Sequence, residues 1–146
     1  MMETSRTMTL GGLQFKEEDI IHFDNGLPGF ENLNRFVIST REEHAPFHWL
    51  HSLEDENLRF IMINPLQIKE DYDPRITKSH LNSINVEERS DLLMYVLVTL
   101  NKQEFAKSTL NLLGPILVNI RTKKGLQVIL DDARYSVKHP VLGEAS

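Results

Sequence analysis

The sequence has no cysteine in its 146 residues. That excludes a disulfide framework, a thiolate zinc site, an iron–sulfur cluster and a cysteine nucleophile, and it permits a reducing compartment. Positive charge is also in short supply, with 16 Lys and Arg against 21 Asp and Glu for a formal charge of −5. An excess of carboxylates repels phosphate backbones at long range, so the usual driving force for nucleic-acid binding is missing. The best basic cluster, Arg121, Lys123 and Lys124, falls at an expected hairpin tip, where charge is ordinarily solvated. Long apolar runs are missing as well. The longest uncharged stretch, residues 108–120, is interrupted by Asn111, Gly114, Pro115 and Asn119, whereas a bilayer span needs roughly 20 mostly apolar residues. Residues 1–9 hold no apolar segment of the kind a signal peptide needs. The expectation is a soluble chain with no membrane contact. Nucleophile elbows, phosphate loops and dinucleotide fingerprints do not occur, and Gly11-Gly12 is too short to cradle a phosphate.

What is present reads as strand. A chain of this length hides about two thirds of the surface its unfolded form exposes, enough for a core without metal or disulfide support. No repeat or linker divides it, so one domain is expected over residues 1–146, with an ordered core at about 9–142. Residues 93–100 are apolar on both alternating faces and predict a central strand covered on both sides. Residues 58–64 have the same character, and Pro65, which cannot donate to a ladder, ends that strand. Residues 116–120 and 126–130 predict a hairpin, with Gly125 supplying the positive φ of its loop. Further strands are expected at 13–15, 20–23, 36–39, 47–51 and 133–137, and a short helix within 77–84. Pro28 and Gly29 suit a type II turn, after which Phe30 re-enters the core beside Phe23 and Phe36. The fold class is therefore all-β: a barrel-like domain or closed sandwich of short, mostly antiparallel strands with one or two short helices.

The polar residues offer chemistry only weakly. His44, His48 and His51 would align on a helix, but Pro46 breaks the segment, and on a strand His48 and His51 face opposite ways, which argues against a metal site. The acids at Asp131-Asp132 and in the run Glu70-Asp71-Tyr72-Asp73 could form an acid–base couple only if one were buried. Asn64-Pro65, Tyr72, Asn111, Asn119 and Tyr135 lie beside turns. There an Asn commonly satisfies nearby backbone groups, and otherwise such residues make a partner surface. Two other classes remain open: a ligand carrier or enzyme using the barrel mouth, with His48, Asp131 or Tyr135 as polar groups, and an RNA-binding barrel, which the acidic balance disfavours.

Specific strings narrow the choice. Phe23-Asp24-Asn25-Gly26-Leu27-Pro28-Gly29-Phe30-Glu31 with Phe36 resembles the opening of the flagellar assembly factor FliW family. Leu50-His51-Ser52, Phe60, Pro65 and Tyr72 resemble its second block. Residues 109–119 and 125–130, Tyr135 and His139-Pro140-Val141-Leu142 resemble its closing block. The match spans nearly the whole chain, with His51 where Gln is common and Gly114 where Ala is common. The resemblance implies a cytoplasmic, non-enzymatic barrel without cofactor that binds two proteins, the translational regulator CsrA and flagellin. In that picture it holds CsrA off the flagellin message until newly made flagellin sequesters it. Glu70, Asp71 and Asp73 are expected to set negative potential against RNA beside bound CsrA. Asn64, Pro65, Tyr72, Asn111, Pro115 and Asn119 are expected to border one partner surface, with Phe23, Phe30 and Phe36 in the core and the free protein a monomer.

Overall fold

The computed structural model describes residues 7–10 and 12–142, so Gly11 and both chain ends lie outside the described residues. The strands run β1 (Thr7–Leu10), β2 (Leu13–Lys16), β3 (Ile20–His22), β4 (Arg35–Thr40), β5 (His48–Ser52), β6 (Arg59–Ile63), β7 (Leu92–Thr99), β8 (Thr109–Leu110), β9 (Ile116–Asn119), β10 (Lys124–Gln127) and β11 (His139–Pro140). A single α-helix, α1 (Lys78–Ser83), and several one-turn 3-10 helices complete the described residues. Strands β7, β6, β5, β4, β3, β10 and β9 follow one another, and β9 returns to β7, so seven strands close into a barrel. Every rung is antiparallel except the β3–β10 contact, where His22 lies beside Lys124 in parallel.

Strand β7 makes closure possible because it is long enough to serve three neighbours. One edge takes β6 opposite residues 96–98, while the other takes β9 opposite residues 92–95 and β8 opposite residues 98–99. Side chains alternate across a strand, so a closed sheet has one interior set and one exterior set. The interior is filled by Phe23, Phe36, Leu50, Met62, Ile116 and Val118, with Tyr95 and others joining them. Phe23 and Phe36 meet edge to face at 5.3 Å. Outside, Ile63, Val96 and Val98 are covered by Tyr72, Leu110, Leu112 and Val141. That second layer is why residues 93–100 are apolar on both faces. The β1–β2 hairpin lays Phe15 on Ile20 and Val37. Ile84, at the end of α1, seals Leu117 and Val128.

Local chemistry fixes the connections. Thr77 caps α1: its Oγ1 accepts from the His80 amide at 3.2 Å, and His80 Nδ1 accepts from the Thr77 amide at 3.0 Å. The Phe30 amide donates to Leu27 O at 2.7 Å, and Gly29 takes φ +85°, giving the expected turn with Pro28 at its first corner.

Three expectations need correction. Residues 133–137 are not a strand; the edge strand is β11, further along. Asp132 accepts from both the amide and the guanidinium of Arg134, and this local bonding competes with a ladder. The hairpin's second strand ends at Gln127, and the left-handed residue of its loop is Lys123 (φ +60°), not Gly125. Gly125 sits inside β10, where a Cβ would lie 2.5 to 2.7 Å from three atoms of the Phe23 ring, so glycine is there for space. Phe30 does pack on the interior cluster, but its ring neighbour is Phe60, at 5.5 Å.

Candidate functional site

The chain after β6 leaves the barrel at Asn64, whose Oδ1 accepts from the Leu66 amide at 3.0 Å. Pro65 is buried as the first residue of a 3-10 turn, so this pair aims the residues that follow across the barrel's outer face. Tyr72 anchors the far end. It is only 4% exposed, its hydroxyl donates to Leu112 O at 2.6 Å, and its ring meets Tyr135 at 4.8 Å. Burial, first, and then the neighbouring Tyr135 and Asp132 hold its phenol well above the ordinary tyrosine range. The Tyr135 hydroxyl in turn accepts from the Asp73 amide at 2.8 Å. A tied-down strap thus runs from Asn64 to Asp73.

Between this strap and the start of β7 lies an open groove of about 530 Å³, whose lining includes Asn64, Tyr72, Asp73, Arg89, Tyr95 and Leu117. Leu66 and Leu93, 44% and 37% exposed, add apolar area to it. Glu70, Asp71 and Asp73 are exposed along the strap, where Lys69 pairs with Asp71 at 3.2 Å. The groove is mixed apolar and polar and is flanked by acids. That composition suits a protein partner.

The residues singled out in the sequence divide into two roles. Asn64, Tyr72 and Asp73 line the groove and Glu70 and Asp71 lie on its strap, while Asn111, Pro115 and Asn119 hold structure behind it. Asn119 is fully buried; its Nδ2 donates to Ile84 O at 2.9 Å, and its Oδ1 accepts from the amides of Arg121 and Thr122 at 2.9 and 3.3 Å. Asn111 Oδ1 accepts from the Leu113 amide, and Pro115 O accepts from Val128. From the 111–119 segment, only Leu117 reaches the groove lining.

The other candidates disperse. His48 lies against Tyr95 at 5.2 Å, and His51, across the strand, bonds Ser39 at 2.8 Å. Among the described residues no three His, Cys, Asp or Glu side chains are placed to hold a metal. His48, Asp131 and Tyr135 do not converge: His48 lines the main groove, Asp131 a separate cleft, and Tyr135 braces Asp73. Asp132 is committed to Arg134 at 2.7 Å, which holds its carboxyl below the usual range. At the hairpin tip Arg121 faces Asp91 and Glu87 at 3.5 and 3.8 Å, and Lys124 faces Asp24 at 3.8 Å, so that positive charge is locally compensated. No helix among the described residues is long and apolar enough to cross a membrane. Sequence reasoning passed over the outer face of β4, β5 and β6, where Ser39, Trp49 and Ile61 pair across the strands. The period-two spacing of residues 39 and 41, 49 and 51, and 59 and 61 was the signal that could have found it.

Comparison with known proteins bears on this geometry. The FliW protein family model matches residues 4–141. The chain is 38% identical over 139 residues to the flagellar assembly factor FliW of Caldanaerobacter subterraneus subsp. tengcongensis, covering 94% of this chain and 92% of that protein. It is 39% identical over 134 residues to the FliW of Clostridium beijerinckii, with 92% and 94% covered. A crystal structure of the flagellar assembly factor FliW superposes with a TM-score of 0.85 at 28% identity, over 97% of this chain and 100% of that one.

Proposed function

The chain belongs to the FliW family of flagellar assembly factors, and from that premise we propose that it is a cytoplasmic regulator that works by binding proteins. It acts as one domain, a monomer when free, and carries no catalytic centre. One partner is CsrA, which it holds off the flagellin message; the other is flagellin, which takes it away from CsrA. Synthesis of flagellin then tracks the supply of free binding sites.

The observation that carries this reading is the groove between the 64–73 strap and β7, with its acidic margin, on a barrel whose interior is filled. Packed side chains occupy the interior cluster, whereas a groove with exposed Leu66 and Leu93 offers apolar area to a protein. The exposed carboxylates of Glu70, Asp71 and Asp73 add negative potential along one margin. Placed beside a basic RNA-binding dimer, they would attract the protein and repel the RNA without covering the RNA site.

The test is charge reversal. Glu70→Lys, Asp71→Lys and Asp73→Lys together should weaken CsrA antagonism and flatten its dependence on salt while leaving the fold intact, because all three side chains are exposed. Unchanged antagonism with an unchanged salt slope contradicts the electrostatic part of the reading.

A further inference from the structure

The outer face of β4–β6 lies apart from the groove just described. In register, Ser39 stands opposite Trp49, Trp49 opposite Ile61, and Ile61 opposite Val98, so one row of outward side chains crosses four strands. On the same face, His51 and Arg59 flank this row in register with Val37, and Arg41 follows the end of β4 on the row's other side. The row therefore changes character along its length. At its β4 end, a cleft of about 330 Å³ is lined by Leu13, Ser39, Arg41, His51 and Arg59, with Trp49 and His44 as its far wall. Among the described residues no carboxylate lines that cleft. The Arg59 guanidinium lies 4.8 Å over the Trp49 ring, and both arginines act on His51, whose imidazole burial already holds below its ordinary pKa.

The same Trp49 and His44 form the near wall of a second cleft of about 390 Å³, built from Phe47, Ile61, Val98, Leu100 and Phe105, with Glu43 at its rim. Leu100 and Phe105 are 42% and 46% exposed, and Phe105 meets Phe47 edge to face at 5.9 Å. On a chain of net charge −5, two guanidiniums beside an uncovered apolar cleft form a distinct surface. Arg41 is only loosely engaged, by Glu43 at 3.9 Å, with both side chains largely exposed.

We propose that these two clefts form a single docking surface for an amphipathic acidic peptide segment of a protein partner. Its apolar side chains enter the cleft of Leu100 and Phe105, and its carboxylates reach Arg41 and Arg59 across Trp49. Charge complementarity chooses the occupant: the basic cleft takes a carboxylate, which a guanidinium binds through paired N–H donors, and the adjoining cleft takes aliphatic or aromatic bulk. Electrostatics sets the orientation of the segment, and apolar burial supplies most of the affinity. The inference is independent of which protein occupies the groove by the 64–73 strap.

Trp49 is the chain's single tryptophan and stands at the junction, so its fluorescence reports occupancy directly. The probes are two synthetic 18-residue helical peptides with the same leucine and phenylalanine face, one flanked by glutamates and the other by lysines at the same positions. Titrated into the full chain at low salt, the glutamate peptide should give a saturable change and bind at least tenfold more tightly than the lysine peptide. Arg41→Glu should reverse that order, Glu43→Gln should tighten the glutamate peptide, and Phe105→Ala should weaken both peptides alike. Arg41, Arg59 and Phe105 are exposed, so circular dichroism should show these variants folded, and Arg59→Glu supplies a second charge test. No saturable response to either peptide, equal affinity for both, or an order that survives both Arg41→Glu and Arg59→Glu overturns the proposal. Failure of CsrA or flagellin to bind would leave it standing.

Discussion

Replacing Asn119 separates a structural asparagine from a binding one. Its side chain is wholly buried and makes three bonds, one to Ile84 O and two from the amides of Arg121 and Thr122. Asn119→Ala removes all three. Ile84 O keeps Thr122 Oγ1 at 3.1 Å, and the Arg121 amide lies at an exposed tip within reach of water. The half-buried Thr122 amide therefore loses this partner, the Arg121 amide turns to water, and a small void opens. With a stranded buried polar group at about 1–3 kcal/mol, the whole change should destabilise the fold by about 2–4 kcal/mol. For a chain of this size that lowers Tm by about 2–4 °C per kcal/mol, and it moves the urea midpoint by about 1–2 M for an ordinary m-value. Asn119→Asp keeps the acceptor but loses the donor and buries a charge, so it should fall as far at neutral pH and recover as the carboxyl protonates. Urea denaturation followed by circular dichroism, with partner affinity measured below the transition, reads both quantities. A wild-type midpoint combined with lost partner affinity would refute the structural assignment.

Two further outcomes follow from packing and titration. Gly125→Ala forces a methyl into the Phe23 ring, which is 1% exposed and held against Phe36, so stability should drop by about 1–3 kcal/mol. Phe23→Leu in the same background should return part of it, and strict additivity of the two losses in denaturant melts would contradict the contact. His48 and His51 are both held below their ordinary 6.5, chiefly by burial, so the unfolded chain takes up protons first as pH falls. Stability therefore rises with pH across the interval below 6.5 and falls on acidification from pH 7 toward 5.5. The His48→Gln/His51→Gln variant should show a flatter Tm against pH by calorimetry, and an unchanged slope would count against this assignment.

Much of the barrel was legible because its strands carry local signals. The β-branched and aromatic run of β7, the Asn64-Pro65 stop after β6 and the Pro28-Gly29 turn are each set by residues adjacent in sequence. Closure was not legible in the same way, because it depends on β7 pairing with β6 on one edge and with both β8 and β9 on the other. Gly125 was misassigned because its reason for being glycine is the Phe23 ring, far earlier in the chain, which no local pattern carries. Residues 133–137 have strand composition, but Asp132 captures the Arg134 amide and guanidinium and turns the chain. The candidate site was legible in part. The strap from Asn64 to Asp73 does border a groove, while Asn119, readable in sequence as a backbone-satisfying residue or as part of a partner surface, bonds Ile84, 35 residues away. The arginine and tryptophan face of β4–β6 escaped notice because its members are neighbours only through cross-strand register.

The central claim is a switch between two protein partners, and calorimetric titration of the purified chain tests it most directly. CsrA and flagellin are each titrated alone and then in competition. The account predicts saturable binding to both and displacement of CsrA by flagellin. Failure to bind either, with both partners shown to be competent, would contradict it.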